Sequence, residues 1–73
     1  MSIKSNETFT AERRGPLVFV DYKPAIAPWV VLAFRHDTGV LTDCELGNLD
    51  FLSAAQIIND ARDFAKQSGL IQA

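Results

Sequence analysis

Residues 52–70 constrain this chain more than any other stretch, because they spell one amphipathic helix with both ends marked. Ala54, Ile57, Ile58, Ala61, Phe64, Ala65 and Ser68 recur at three and four residues, the spacing of a single helix face. Gln56, Asn59, Asp60, Asp63, Lys66 and Gln67 take the opposite, wet face. Ser53 stands as the N-cap, with Gln56 reaching back in a capping box, and Leu52 and Ile57 have hydrophobic-staple spacing. Gly69 supplies the left-handed residue that ends such a helix, after which Leu70 folds back over Phe64 and Ala65. A helix this short does not persist alone in water, so its apolar stripe needs a surface to lie on.

The preceding residues supply a sheet. Leu17–Tyr22 is β-branched and aromatic and stops at Lys23-Pro24, as a strand does. Residues 29–36 form the most apolar stretch and predict a second strand. Residues 40–46 predict a third, reached through a tight turn at Asp37-Thr38-Gly39 whose third residue is the glycine that a three-residue hairpin loop wants. That turn pairs Phe34 with Thr42, Leu32 with Cys44 and Val30 with Leu46. Val30, Leu32, Phe34, Val40, Thr42, Cys44 and Leu46 then share the helix-side face. Trp29, Val31, Ala33, Arg35, Leu41, Asp43 and Glu45 share the other, with Arg35 and Asp43 as diagonal neighbours of opposite charge. A slip of one residue brings Asp43 and Glu45 under the helix, where unpaired charge is costly. Residues 7–12 offer a short further strand with Phe9 and Ala11 inward, or a helical turn, and Arg13-Arg14-Gly15-Pro16 reads as a turn. Residues 1–6 are expected to be flexible. The expected fold is one small α+β domain over residues 1–73. It is an antiparallel meander of three strands, or four if residues 7–12 pair, with one C-terminal helix on one face.

Composition narrows the function. With 73 residues the core is thin and the stability margin small. The hydrophobic fraction of 48% is that of a folded domain. The net charge of −2 argues against nucleic acid as a default partner. Residues 1–35 hold five Lys/Arg and three acids, whereas residues 36–73 hold two and six, and no Lys or Arg occurs from His36 to Ala61. The single cysteine makes an internal disulfide impossible and suits a reducing, cytoplasmic setting. No apolar run reads as a signal peptide or a membrane span.

Each candidate chemistry has a simpler reading. Asp37-Thr38-Gly39 resembles the Asp-Thr-Gly loop of aspartic proteases over three residues. That family carries apolar residues where Arg35 and His36 stand here, and a hairpin turn accounts for the same three residues. His36 and Cys44 lie four residues apart along the ladder, about 13 Å at ~3.4 Å per residue, too far for a nucleophile pair. Cys44 is expected in the core and His36 in solvent. Structural zinc wants four ligands, and the acids from Asp43 onward miss the EF-hand spacing because Gly47 and Ala54 fall at ligand positions. Three strands followed by a helix resemble double-stranded-RNA-binding domains in topology, but Ser53-Ala54-Ala55-Gln56 replaces that family's lysine-rich helix start. The sequence therefore implies no catalytic residue, no metal and no cofactor.

What remains is a sheet face that one helix does not cover. Trp29, Val31, Ala33 and Leu41 lie on it, and Leu17–Tyr22 is apolar on both faces, where a half-wet sheet alternates cleanly. The expected function is a non-catalytic protein-binding module, an inhibitor or regulator that occupies a surface of a larger macromolecular machine. Its interface is Trp29, Val31, Ala33, Arg35, Leu41, Asp43 and Glu45. The expected partners are a second copy, as a homodimer, and a protein with a basic surface, with no membrane and no small-molecule substrate. The alternative is a weak nucleic-acid-binding regulator that uses Arg13, Arg14, Lys23 and Arg35 as a dimer's basic face.

Overall fold

The computed structural model describes residues 3–24, 30–47 and 49–72. Five strands and one helix follow in order: β1 (Ile3–Ser5), β2 (Phe9–Arg14), β3 (Leu17–Tyr22), β4 (Val31–Arg35), β5 (Leu41–Glu45) and α1 (Phe51–Gln67). The strands form one antiparallel sheet in the order β1-β2-β3-β4-β5. The α+β architecture with a C-terminal helix is as expected, but the meander has five strands, not three or four.

The two additional strands lie at the N-terminal end. Ile3, Lys4 and Ser5 pair with Glu12, Ala11 and Thr10, within the stretch expected to be flexible. The connecting turn is closed by Asn6, whose side-chain oxygen accepts from the amides of Thr8 (2.8 Å) and Phe9 (2.6 Å), an Asx-type turn. Strand β2 also runs two residues further than residues 7–12 suggest. Arg13 pairs with Val18 and Arg14 with Leu17, so both arginines belong to the strand and only Gly15-Pro16 form the loop.

The last hairpin keeps the expected register over most of its length. Val31 pairs with Glu45, Leu32 with Cys44 and Ala33 with Asp43, then a bulge intervenes and Phe34 pairs with Leu41. The extra residue is Thr42, whose hydroxyl donates to the Ala33 carbonyl at 3.1 Å. The bulge turns Leu41 from the open face to the helix side, where it packs against the core. The expected place of Leu41 on the open face is thus corrected. The physical reason is that one inserted residue exchanges the two faces, here burying a leucine at the cost of a threonine whose hydroxyl finds its own acceptor. Val40, expected under the helix, is exposed. Trp29 lies outside the described residues.

Helix α1 begins two residues before the expected cap. Asp50 is the N-cap, and its carboxylate accepts from the Ser53 amide at 2.7 Å. Ser53 is therefore the third residue of the helix, and Gln56 donates to Asp60 at 3.0 Å instead of closing a capping box. Aspartate caps as well as serine, and its charge also favours a helix N-terminus. The other end is as expected. Gly69 has φ +81°, its amide donates to the Lys66 carbonyl and the Leu70 amide to the Ala65 carbonyl, the pair of bonds of a Schellman ending.

The core lies between α1 and β2, β3 and β4. From the sheet come Phe9, Ala11, Val18, Val20, Leu32 and Phe34, and from the helix Ala54, Ile57, Ala61 and Ala65. Ala61 and Ala65 are fully buried, and their small side chains let the helix backbone approach the sheet. Leu70 and Ile71 close the end of this core, and the Gln72 amide donates to the His36 carbonyl at 2.7 Å. Each large apolar side chain so buried contributes roughly 1.5–3 kcal/mol. The helix contacts β2, β3 and β4 and leaves β5 largely uncovered.

Candidate functional site

Side chains alternate across each strand, and the pairings set the face opposite α1 into three rows. One end row is Arg14, Leu17 and Arg35; the middle row is Ile3, Glu12, Phe19, Ala33 and Asp43; the other end row is Ser5, Thr10, Asp21, Val31 and Glu45. Leu17, Phe19 and Val31 are half-buried and Ala33 is only 4% exposed, although no helix covers them. Their neighbours shield them. The Arg14 guanidinium lies 5.5 Å above the Phe19 ring and its Nε donates to Glu12 at 2.8 Å. A depression of about 190 Å³ opens between Ile3, Phe19 and Val31, and one of about 380 Å³ adjoins it at Thr10, Asp21, Val31 and Lys23.

Of the expected interface residues, the structure brings Val31, Ala33, Arg35, Asp43 and Glu45 together on this face and moves Leu41 off it. Leu17 and Phe19 complete its apolar centre. Arg35 does not pair with Asp43. Its guanidinium holds Asp37 through two hydrogen bonds of 3.1 Å, and this contact lowers the Asp37 pKa and raises that of Arg35. Asp37 is thus an ion-paired turn residue.

The basic residues do not form one patch. Arg13 and Arg14 are adjacent in β2 and so face opposite ways. Arg13 donates to the Gly15 carbonyl at 3.0 Å and lies 3.4 Å from His36 Nε2. Lys23 sits at the far end of the β2–β3 hairpin and donates to the Ser5 hydroxyl and the Asn6 carbonyl. Lys23 is thus separated from the three arginines, which lie at the opposite end of the β2–β3 hairpin.

Cys44 is exposed, which corrects its expected place in the core. It does face the helix side opposite Leu32, but α1 does not extend over β5. His36 lies beyond the end of β4. Among the described residues no three His, Cys, Asp or Glu side chains gather as metal ligands do, and no helix is long and apolar enough to cross a membrane.

A second apolar surface was not expected. Phe51 and Leu52, in the first turn of α1, are 85% and 80% exposed. A hydrophobic staple between Leu52 and Ile57 needs a cap at Ser53. With the cap at Asp50, Leu52 stands half a helical turn from the Ala54–Ile57–Ala61 stripe. Leaving such a pair in water forgoes roughly 1.5–3 kcal/mol per side chain. The signal available in the sequence was Asp50, an equally good cap three residues upstream of Ser53.

No protein-family model, curated protein or solved structure matches this chain.

Proposed function

We propose that this protein is a non-catalytic binding module, an inhibitor or regulator that occupies a surface of a larger macromolecular assembly. The observation that carries this reading is the sheet face opposite α1, where Leu17, Phe19, Val31 and Ala33 lie together under no other element among the described residues. An apolar centre within a rim of charge is the anatomy of protein interfaces. A second copy is the first occupant of this face, because one end row carries Arg14 and Arg35 and the other Asp21 and Glu45. A two-fold axis across the strands lays one row over the other, with each arginine one strand from an acid of the second copy. Glu12 then meets its own copy with Arg14 already in hand, and Asp43 meets its own at the wet rim. The single exposed thiol suits a reducing cytoplasm.

Sedimentation of the wild type and of Val31→Glu tests the reading. The wild type is expected to be a dimer at ~100 μM, within the affinity range of modest interfaces, and Val31→Glu a folded monomer. A dimer that persists in Val31→Glu places the contact elsewhere. A wild-type monomer removes the second copy as occupant. The face then remains the binding surface only if a partner captured by the wild type is lost with Val31→Glu.

A further inference from the structure

A groove runs between α1 and the turn that joins β1 to β2. It consists of two depressions, of about 360 Å³ and 310 Å³, that share Thr8, Phe9 and Asp60. We propose that this groove binds an extended basic segment of a partner protein, whose lysine or arginine stems lie over Phe9 and Phe64 and whose charges meet Asp60 and Asp63. The groove is on the helix side of the molecule and is independent of the sheet face assigned above.

The helix sequence builds one wall. At about 100° per residue, Ser53, Gln56, Asp60, Asp63, Phe64 and Gln67 fall within roughly 100° of arc, and all six line the depressions. This flank adjoins the buried stripe of Ile57 and Ala61, so the floor is apolar. Phe64 stacks on Phe9 with ring centroids 5.8 Å apart, and Tyr22 lies 5.8 Å from Phe9. The other wall is the β1–β2 turn, held in shape by Asn6 through the amides of Thr8 and Phe9. The wall that carries the carboxylates is thus a helix packed on the sheet, which fixes their spacing before any ligand arrives.

Charge and length select the occupant. Asp60 and Asp63 line the groove, and among the described residues no Lys or Arg lines it with them. Neither aspartate forms an ion pair among the described residues. The cations of α1 turn toward the β4–β5 turn: Arg62 donates to the Gly39 carbonyl, and Lys66 Cε lies 3.5 Å from where a methyl group on Gly39 would stand. Lys23 donates to the Ser5 hydroxyl and the Asn6 carbonyl. A nucleic acid or an anionic membrane meets repulsion at such a groove. A cation on a long apolar stem suits both its floor and its wall, and opposite charge speeds encounter and selects the partner. From Ser53 to Gln67 the helix wall runs about 21 Å, the length of roughly six residues of extended chain, so a stretch of polypeptide matches it better than one small amine.

The probe for the test is a blocked hexapeptide of alternating lysine and valine, with its glutamate–valine counterpart and butylammonium as controls, each titrated into the isotope-labelled chain. The lysine peptide is expected to bind saturably at or below about 1 mM, to shift the amides of Thr8, Phe9 and the Asp60–Phe64 turn of α1, and to weaken as salt rises. Its affinity falls by about tenfold or more in Asp60→Asn/Asp63→Asn. Both positions are exposed, so that variant keeps the wild-type circular dichroism. Asp60→Asn alone also weakens binding, whereas Asp37→Asn, which removes the same charge at the β4–β5 turn, does not. Absence of saturable binding, equal binding of the glutamate peptide, or equal loss in Asp37→Asn overturns the proposal. Butylammonium bound as tightly as the peptide overturns it in favour of a small organic cation. Self-association of the wild type that Asp60→Asn/Asp63→Asn abolishes overturns it in favour of a second copy. Failure here leaves the sheet-face reading standing, since that reading is decided by sedimentation of Val31→Glu.

Discussion

Arg62 fastens the helix to the β4–β5 turn through Gly39. Its Nε donates to the Gly39 carbonyl at 2.8 Å, and its guanidinium lies 5.4 Å above the ring of Phe34, the largest fully buried side chain. Gly39 is buried at this junction with φ +77°. A methyl group there would stand 3.4 Å from Ile71 Cγ2 and 3.5 Å from Lys66 Cε.

Gly39→Ala is therefore expected to destabilise the protein by about 1–3 kcal/mol, from left-handed strain and crowding together. Urea denaturation reads this as a lower midpoint. An unchanged midpoint means that the turn does not hold the geometry described.

Ala61→Asp should leave the chain unfolded. Ala61 has no exposed surface, and a carboxylate there would enter the apolar cluster that includes Val18, Val20 and Phe34. The cost is several kcal/mol in a protein of small total stability. A cooperative mutant with wild-type circular dichroism would show that another helix face meets the sheet.

Asp50→Ala removes the cap of α1, and the loss should depend on pH. The Ser53 amide, then the Ser53 side chain, hold the Asp50 carboxyl below the ordinary aspartate value. A carboxyl with a lowered folded pKa stabilises the native state above its unfolded pKa, about 4. That stability is lost as pH falls through the folded value. The thermal midpoints of wild type and Asp50→Ala are therefore separated at pH 7 and converge in acid. Asp50→Asn should sit between them at pH 7, keeping the cap without the charge.

Cys44 should react fully with a thiol reagent in the folded protein. Its side chain is exposed because α1 lies over β2–β4 and not over β5. Ellman's reagent is expected to modify one thiol without any loss of helix signal. Reaction only after denaturant is added would mean that β5 is covered.

The elements legible in the sequence are those whose signal is local and repeated. The stripe from Ala54 to Ala65 specifies a helix through several turns of consistent spacing, and the Gly69 ending needs only its neighbours. Gly39 fixes the last turn, and the cost of burying Asp43 or Glu45 fixes its register as far as Ala33. Of the candidate sheet face, Val31, Ala33, Arg35, Asp43 and Glu45 were readable by alternation. Leu17 and Phe19 were visible as the odd apolar face of β3.

The tertiary structure decided the choices between local alternatives of similar energy. Ser53 and Asp50 both cap, and the packing of Ile57 and Ala61 on the sheet selects Asp50, which leaves Phe51 and Leu52 in water. Three residues such as Ile3–Ser5 carry too little pattern to announce a strand, and only the open edge of β2 makes them one. The bulge at Thr42 arises because Leu41 gains burial beside Phe34 that no alternation rule can anticipate. Arg35 chooses Asp37 over Asp43 because the turn brings Asp37 back within reach. Sequence by itself determined this protein's periodic elements, whose energies add along the chain. Caps, edges, bulges and ion pairs were decided by tertiary structure, because each depends on a neighbour that only the folded chain provides.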